Sequence, residues 1–433
     1  MAIDIQQRIH SDEVQTKKAG TPVVLAGWAQ DAKSIGKIAF IKLRDRFGTV
    51  QITAFPENKQ FEEVAKLHRE SVIIVSGKVQ ESKLKSGAKE VILDSFEILS
   101  AAEPKLPIEF LGKAETDLSK RLDWRFLDLR NPKNLAIFKV RAEVARALRE
   151  FFTNDGFIEM HTPKIVGAGA EGGATLFTLD YFGKPAYLAQ SQQVYKQMMN
   201  IAGFEKVFEI GPSFRAEKSH TVRHLTEFSH IDVEFSFIKD EDDIFKLQER
   251  LIVHVLEQVS KNCKQELEML GVKIEIPKLP FPRITYADGL TLLNKEKIDA
   301  KEIGQEEEAK LGELIKKKYK TDFFFITKMP TKDVKFYCMI DGKTARYGDL
   351  EFRGSEISSG GQREHRYEML IKQIKEQGLK PKDFEYYTTP FKYGVPPHGG
   401  FGMGLDRLTQ LILNLPNVRE AVLFPRDTER LIP

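Results

Sequence analysis

Within the first hundred residues, five short runs rich in Val, Ile and Phe (23–29, 38–44, 50–54, 71–79 and 90–99) are separated by Gly, Asp, Asn and Lys turns. One helical stretch, 57–67, interrupts them, and it falls between the third run and the fourth. Five short strands with a helix at that place leave few ways to close a core. The order matches a small Greek-key barrel of the OB type, an architecture that commonly binds oligonucleotides. The barrel accounts for under a quarter of the 433 residues, so at least one further domain follows.

From Ala101 the text changes to AAEPKLPIEFLG and then to the charged KAETDLSKRLDWRFLDLR. This reads as a hinge and a short helical connector. The expected division is a barrel at 1–103, a connector at 104–130 and a larger domain at 131–433. In that domain residues 134–155 keep Ile137, Val140, Val144, Leu148, Phe151 and Phe152 at helical spacing, and Asp155 followed by Gly156 stops the helix. Strand-like runs at 206–210, 231–237, 323–327, 336–339, 349–352 and 355–358 are joined by neither regular helical crossovers nor a GxGxxG turn, so they read as antiparallel. The predicted fold class is α+β, a barrel followed by a core whose antiparallel sheet is flanked by helices. Residues 299–320, DAKEIGQEEEAKLGELIKKKYK, read as a charge-rich surface helix or insertion.

Composition narrows the chemistry. No apolar run approaches the ~20 residues that span a bilayer, and the N-terminus MAIDIQQRIHSDEVQTKK has no apolar signal core, so a cytosolic protein without a membrane partner is expected. Cys263 and Cys338 lie in unrelated contexts and offer neither a disulfide framework nor a CxxC metal site. With 66 basic against 63 acidic residues, any polyanion surface has to be a local patch.

Three stretches carry reactive residues. In 207–235, VFEIGPSFRAEKSHTVRHLTEFSHIDVEF, a strand ends in Phe214, Arg215, Ala216 and Glu217, a polar loop follows, and a second strand brings Glu227, Asp232 and Glu234. Such a hairpin can present the Arg215 guanidinium to a phosphate and a carboxylate to a base or amine. In 396–413, PPHGGFGMGLDRLTQLIL, small residues let a strand approach a planar ligand, and the next helix carries Arg407 near its positively polarised N-terminus. In 348–366, GDLEFRGSEISSGGQREHR, Asp349 and Glu356 are close enough in sequence to share a hard cation through oxygen ligands.

FRAE with the downstream RHLTEF resembles motif 2 of the class II aminoacyl-tRNA synthetases, and GFGMGLDRL resembles motif 3. The helix at 134–155 with GFIEMHTPKIV resembles motif 1, which implies a homodimer with Pro163 at its seam. The similarity runs from the barrel to the terminal LFPRD. LAQSQQVYKQ (188–197) resembles the QSPQxYKQ motif of aspartyl enzymes, with Gln192 where proline is usual, and IDVE and GGQREHR fit the same subfamily. GGATLF and PSFRAEKS read more like archaeal asparaginyl enzymes, but selectivity is made in the side-chain pocket, where Lys196 separates the two. The chain is accordingly identified as a member of the compact archaeal and eukaryotic-like aspartyl-tRNA synthetases of class IIb. An asparaginyl-tRNA synthetase is the nearest rival, a non-catalytic tRNA-binding paralogue is the rival of another class, and asparagine synthetases built on the same core lack the barrel.

The resemblance implies substrates ATP, L-aspartate and tRNA-Asp, with tRNA-Asn as an open second acceptor, and Mg²⁺ on Asp349 and Glu356. Arg215 and Arg407 would be the catalytic arginines, holding the α- and γ-phosphates of a bent ATP. Glu217, His224, Leu225, Glu356 and Gly404 would complete the ATP site, with Glu217 on the adenine edge and His224 as a phosphate or loop contact and not a general base. Glu171, Gln193, Lys196, Asp232, Ser359 and Arg363 would bind aspartate, with Lys196 and Arg363 clamping the side-chain carboxylate. His398 and Met403 would line or support the nucleotide site. In the barrel, FIKLRDRFGTVQ resembles the family's FxxLRDxxGxVQ, which implies that Phe40 stacks on the central anticodon base, Gln51 hydrogen-bonds it, and Gln30 or the loop at 82–90 meets the third base.

Overall fold

The computed structural model describes residues 3–82, 88–111, 116–169, 175–218, 221–298 and 300–433. Contacts divide the chain into two compact units, Met1–Glu109 and Phe110–Pro433. That boundary lies beyond residue 103. The connector text does not form a free hinge: its helical turns Leu118–Asp123 and Arg125–Asp128 belong to the second unit. Arg125, 1% exposed, anchors them by donating to the carbonyls of Glu420, Val422 and Leu423 and to Asp128.

In the first unit, β1 (Pro22–Ile35), β2 (Ile38–Arg44), β3 (Thr49–Ala54), α1 (Phe61–Ala65), β4 (Val72–Glu81) and β5 (Lys89–Ser100) form a closed barrel of order β1-β2-β3-β5-β4. Alternation fills it: Leu25, Ala39, Ile41, Leu43, Val50, Ile52, Val75 and Val91 point inward. The first strand is twice as long as its apolar run. A register shift between Ala29 and Asp31 breaks the alternation, after which charged Lys33 and other polar residues continue the ladder. The helix expected at 57–67 shortens to five residues.

In the second unit, α2 (Pro132–Asn154) starts on Asn131, whose side chain accepts from the Lys133 amide, with Pro132 in the first turn. There follow β6 (Ile158–Glu159), α3 (Gln193–Ile201), β7 (Lys206–Phe214), β8 (Glu227–Ser236), α4 (Glu241–Asn262), β9 (Arg283–Thr285), α5 (Gln305–Tyr319), β10 (Phe323–Thr327), β11 (Tyr347–Phe352), β12 (Glu356–Gln362), β13 (His398–Gly404) and α6 (Leu405–Ile412). The sheet order is β9-β10-β11-β12-β13-β8-β7-β6, antiparallel except for the outermost pair at each edge. One face packs on α2 and α4 through Phe208, Ile231, Val233, Leu350, Phe401 and Met403. The alternate residues, among them Asp232, Glu234, Asp349 and Gly402, therefore turn to the opposite face, and that face carries the site.

Two expectations fail. Residues 336–339 are not a strand: Cys338 makes only an isolated bridge to Arg363, while Phe336, Tyr337 and Cys338 sit in a separate apolar cluster with Tyr387 and Phe391. A short apolar run reports burial and cannot by itself report backbone conformation. Nor is the helix at 305–319 merely a surface feature. Leu311 and Ile315 are buried, and a Cβ on Gly312 would lie 2.6 Å from the Gly354 amide nitrogen, so α5 sits hard against the turn between β11 and β12.

Candidate active site

A cavity of about 420 Å³ opens on the polar face of the sheet. Its walls include Arg215, Glu217, His224, Leu225, Glu356, Gly404 and Arg407 at one end. Gln193, Lys196, Asp232, Ser359 and Arg363 line the other, with Asp349 between. Thus one cavity brings together every residue assigned to ATP, aspartate or the metal except Glu171, which lies outside the described residues. The strand β13 is stripped to glycine for a steric reason: a Cβ at Gly402 would lie 2.6 Å from His230 Nε2.

At the end lined by Gln193 and Arg363, α3 buries a lysine. Lys196 Nζ lies 2.8 Å from Asp232 Oδ1, 3.4 Å from Glu234 Oε2 and 3.1 Å from the Phe401 carbonyl. Arg363 grips Glu234 with two parallel hydrogen bonds, 2.9 Å from Nε and 3.1 Å from Nη2. His230 Nδ1 stands 2.7 Å from the other oxygen of Asp232. Burial pushes both carboxyls up, but His230 and Lys196 beside Asp232, and Arg363 and Lys196 beside Glu234, hold both below the usual carboxylate range. Two cations thus face two carboxylates in a nearly dry pocket. Glu234 was noticed in the sequence only as one acid of a strand; its alternation with Asp232 in IDVE was the available signal.

At the other end, Arg215 follows directly on β7, with its guanidinium 5.3 Å from the Phe228 ring centroid. Arg407, in the first turn of α6, donates to the Glu356 carbonyl at 2.7 Å. His224 pairs with Thr221 Oγ1 at 2.6 Å and has Glu217 at 3.9 Å. Burial, with Arg407, Arg223 and Arg215 nearby, lowers its pKa despite Glu217, so it is neutral near pH 7.

Four carboxylates gather beside these arginines. Asp349 accepts from the Ser359 hydroxyl. Glu351 is the cross-strand partner of Glu356, where like charges repel, and both its oxygens are buried without a hydrogen-bond partner. Glu308 arrives from α5 and approaches Arg223 at 3.8 Å. Burial, and then Glu356, raise Asp349 well above its ordinary value; burial, and then Glu308, do the same to Glu351. Burial and Glu356 push Glu308 up to about 7. A bulge builds this arrangement: Leu350 pairs with Ser358 while Glu351 pairs with Glu356, so Glu356 and Ser359, three apart, both face the cavity. Among the described residues no three His, Cys, Asp or Glu form a ready cage for a metal ion. Hard oxygen donors crowded beyond their own charge balance nonetheless fit Mg²⁺, which is commonly held by one or two carboxylates together with substrate phosphates. Glu308 and Glu351 were missed, the first because it sits among solvated glutamates, the second because it interrupts an otherwise apolar strand text.

Met403 packs in the core on the helix-covered face of the sheet, and His398 does not line the cavity either. It is fully buried, its ring next to Gln197 and its carbonyl accepting from the Arg363 amide. In the barrel, Phe40, Lys42, Gln51 and Thr53 share the outer face of β2 and β3. Phe40 and Gln30 are half-buried, and Gln51 Nε2 donates to Glu90 at 2.6 Å. Of the loop at 82–90, residues 83–87 lie outside the described residues.

A barrel followed by a six-strand antiparallel centre, with an arginine at the end of one strand and another opening the helix after a glycine strand, defines a class II synthetase architecture. The family model for class II tRNA synthetases (D, K and N) matches residues 117–428, and that for the OB-fold nucleic acid binding domain matches 23–99. The chain belongs to the class II tRNA synthetases. It is 48% identical over 434 residues to an aspartate–tRNA(Asp) ligase of Pyrococcus furiosus, covering 98% of this chain and 99% of that one. It is 46% identical over 432 residues to an aspartate–tRNA(Asp/Asn) ligase of Methanopyrus kandleri, with the same coverage. Among solved structures, asparaginyl-tRNA synthetase from Pyrococcus horikoshii complexed with asparaginyl-adenylate superposes with a TM-score of 0.91 at 36% identity, covering 98% of this chain and 99% of that one. A putative aspartyl-tRNA synthetase from Leishmania major superposes at 0.88 with 30% identity, covering 100% and 97%. No helix among the described residues is long and apolar enough to cross a membrane.

Proposed function

We propose that the protein activates L-aspartate with ATP and transfers it to the 3′-hydroxyl of the terminal adenosine of tRNA-Asp. The observation that carries the amino-acid assignment is the buried quartet of Lys196, Arg363, Asp232 and Glu234. Asp232 receives the α-ammonium, and Lys196 and Arg363 receive the β-carboxylate. An uncharged amide forgoes the charge-assisted hydrogen bonds that a β-carboxylate makes with these cations in a desolvated pocket, and sites built on polar complementarity reject such analogues by about 10⁴-fold or more.

The first step needs placement and charge neutralisation and no protein nucleophile. The α-carboxylate attacks the α-phosphorus and pyrophosphate leaves. Arg215 holds the α-phosphate, Arg407 the γ-phosphate, Glu217 the adenine edge, and the glycines of β13 let the nucleotide lie close to the sheet. Mg²⁺ held by Asp349 and Glu356 would neutralise phosphate oxygens when bound. In the barrel, Phe40 and Gln51 are assigned to the anticodon, and the motif 1 region with Pro163 to a homodimer seam in the cytoplasm. Acceptance of tRNA-Asn as well is a separate property, since relatives of similar identity carry both specificities in their names.

ATP–pyrophosphate exchange with Mg²⁺, comparing aspartate with asparagine and wild type with Lys196→Ala, tests the reading. Exchange with aspartate alone is expected, falling on the order of 10³-fold in the variant when a buried pair is broken. Exchange with asparagine would move the protein to the asparaginyl specificity suggested by its structural neighbour, and silence with both would favour a tRNA-binding role without catalysis.

A further inference from the structure

The buried face of α3 is polar. Gln193, Lys196, Gln197 and Asn200, at helical spacing, are 5%, 1%, 0% and 2% exposed. Positions that ordinarily carry apolar side chains here carry hydrogen-bonding groups, and each such group has to be satisfied or it costs stability.

The network has only one consistent direction. His398 Nδ1 lies 2.9 Å from the Pro396 carbonyl, which can only accept, so Nδ1 carries the proton. Burial lowers the His398 pKa, favouring the neutral ring, so Nε2 is an acceptor. The group 2.9 Å from Nε2 is therefore the Gln197 amide nitrogen, donating. That leaves Gln197 Oε1 to accept from Tyr387 OH and from Gln193 Nε2, each at 2.9 Å. With its nitrogen committed to Gln197, Gln193 has its oxygen left to serve the cavity that it lines. An imidazolium, or the Nε2–H tautomer, would reverse every amide in the series and turn a donor toward the substrate.

We propose that His398 and Gln197 are positioning residues that hold the Gln193 amide with Oε1 toward the cavity, where it accepts from the α-ammonium of the amino acid. The proposal rests on the reading of this end of the cavity as the amino-acid site. Neither residue touches the substrate: the effect of each passes through the amide of Gln193.

Two readouts test it independently. In a long-range ¹H–¹⁵N correlation spectrum of protein labelled with ¹⁵N-histidine, one of the nine imidazole patterns disappears in His398→Gln and identifies His398. A protonated Nδ1 with an unprotonated Nε2 is expected, and an imidazolium or the opposite tautomer overturns the proposal. In pyrophosphate exchange, Gln197→Leu and Gln197→Met, neither of which can accept strongly from the Gln193 amide, are each expected to raise the KM for aspartate about tenfold, with the KM for ATP within about twofold of wild type. Unchanged KM values, or equal loss toward both substrates in variants shown to be folded, overturn it. If the wild type activates no amino acid at all, the proposed function fails first, and the tautomer measurement still decides the network.

Discussion

The two ends of the cavity handle buried charge in opposite ways. At the amino-acid end, Asp232 and Glu234 lie against Lys196, Arg363 and His230, and their carboxyls are held below the usual range. At the phosphate end, Asp349, Glu351 and Glu308 crowd one another and Glu356, and theirs are raised. The first end is balanced by the chain itself, its carboxylates already paired before anything binds. The second is balanced only when positive charge arrives, so its order is coupled to its ligands. On the proposed assignment, recognition of the amino acid is preorganised, and the other end holds crowded carboxyls whose repulsion a bound cation relieves.

The largest expected contrast comes from removing one negative charge at the balanced end. Glu234→Gln leaves Arg363 and Lys196 undercompensated where Glu234 is 0% exposed, and a loss of about 3–5 kcal/mol is expected in urea unfolding. A smaller effect concerns pH. Because the Glu308 carboxyl is raised in the folded state, to about 7, its contribution is full below the unfolded carboxylate range of about 4.3 and is lost as pH rises through about 7. The ligand-free wild type is expected to lose more stability between pH 5 and 7 than Glu308→Gln, and parallel urea midpoints would break the comparison. Asp232 and Glu234 run the other way: their contribution is present above the unfolded carboxylate range and is lost only as pH falls through their depressed values. The smallest effect carries the sharpest sign. Glu351→Gln replaces a carboxyl that burial and its acidic neighbours disfavour in its ionised form and whose oxygens have no hydrogen-bond partner, so ligand-free stability is expected to rise, by about 1 kcal/mol. A fall as large as that of Glu234→Gln would show that both ends are balanced alike.

Much of this was legible in the residues. The barrel strands and the helix after Pro132 stand in sequence stretches whose chemistry and order are local, and Arg215, Arg407, Lys196 and Arg363, singled out in such stretches, line one cavity. What could not be read was set by tertiary contact. The text 305–319 looks solvated because only Leu311, Gly312 and Ile315 of that helix are buried, yet its first turn brings Glu308 beside Glu356. The run 336–339 looks like a strand because its side chains are apolar, yet they fill a cluster beside α3 without joining the sheet. His398 sits in a glycine-rich stretch that points to nucleotide, but as the first residue of β13 it lies behind the amino-acid end.

The bulge at the start of β12 has a consequence for how this region can vary. With one residue extra against β11, Glu356 and Ser359 both reach the cavity; in an unbroken ladder, residues three apart point to opposite faces. Parity here acts as a reading frame. Losing the extra residue, or gaining another, would turn one of these side chains toward the helices while leaving the composition almost untouched. A single-residue insertion or deletion in this short stretch is therefore expected to silence a site that most conservative substitutions nearby would spare.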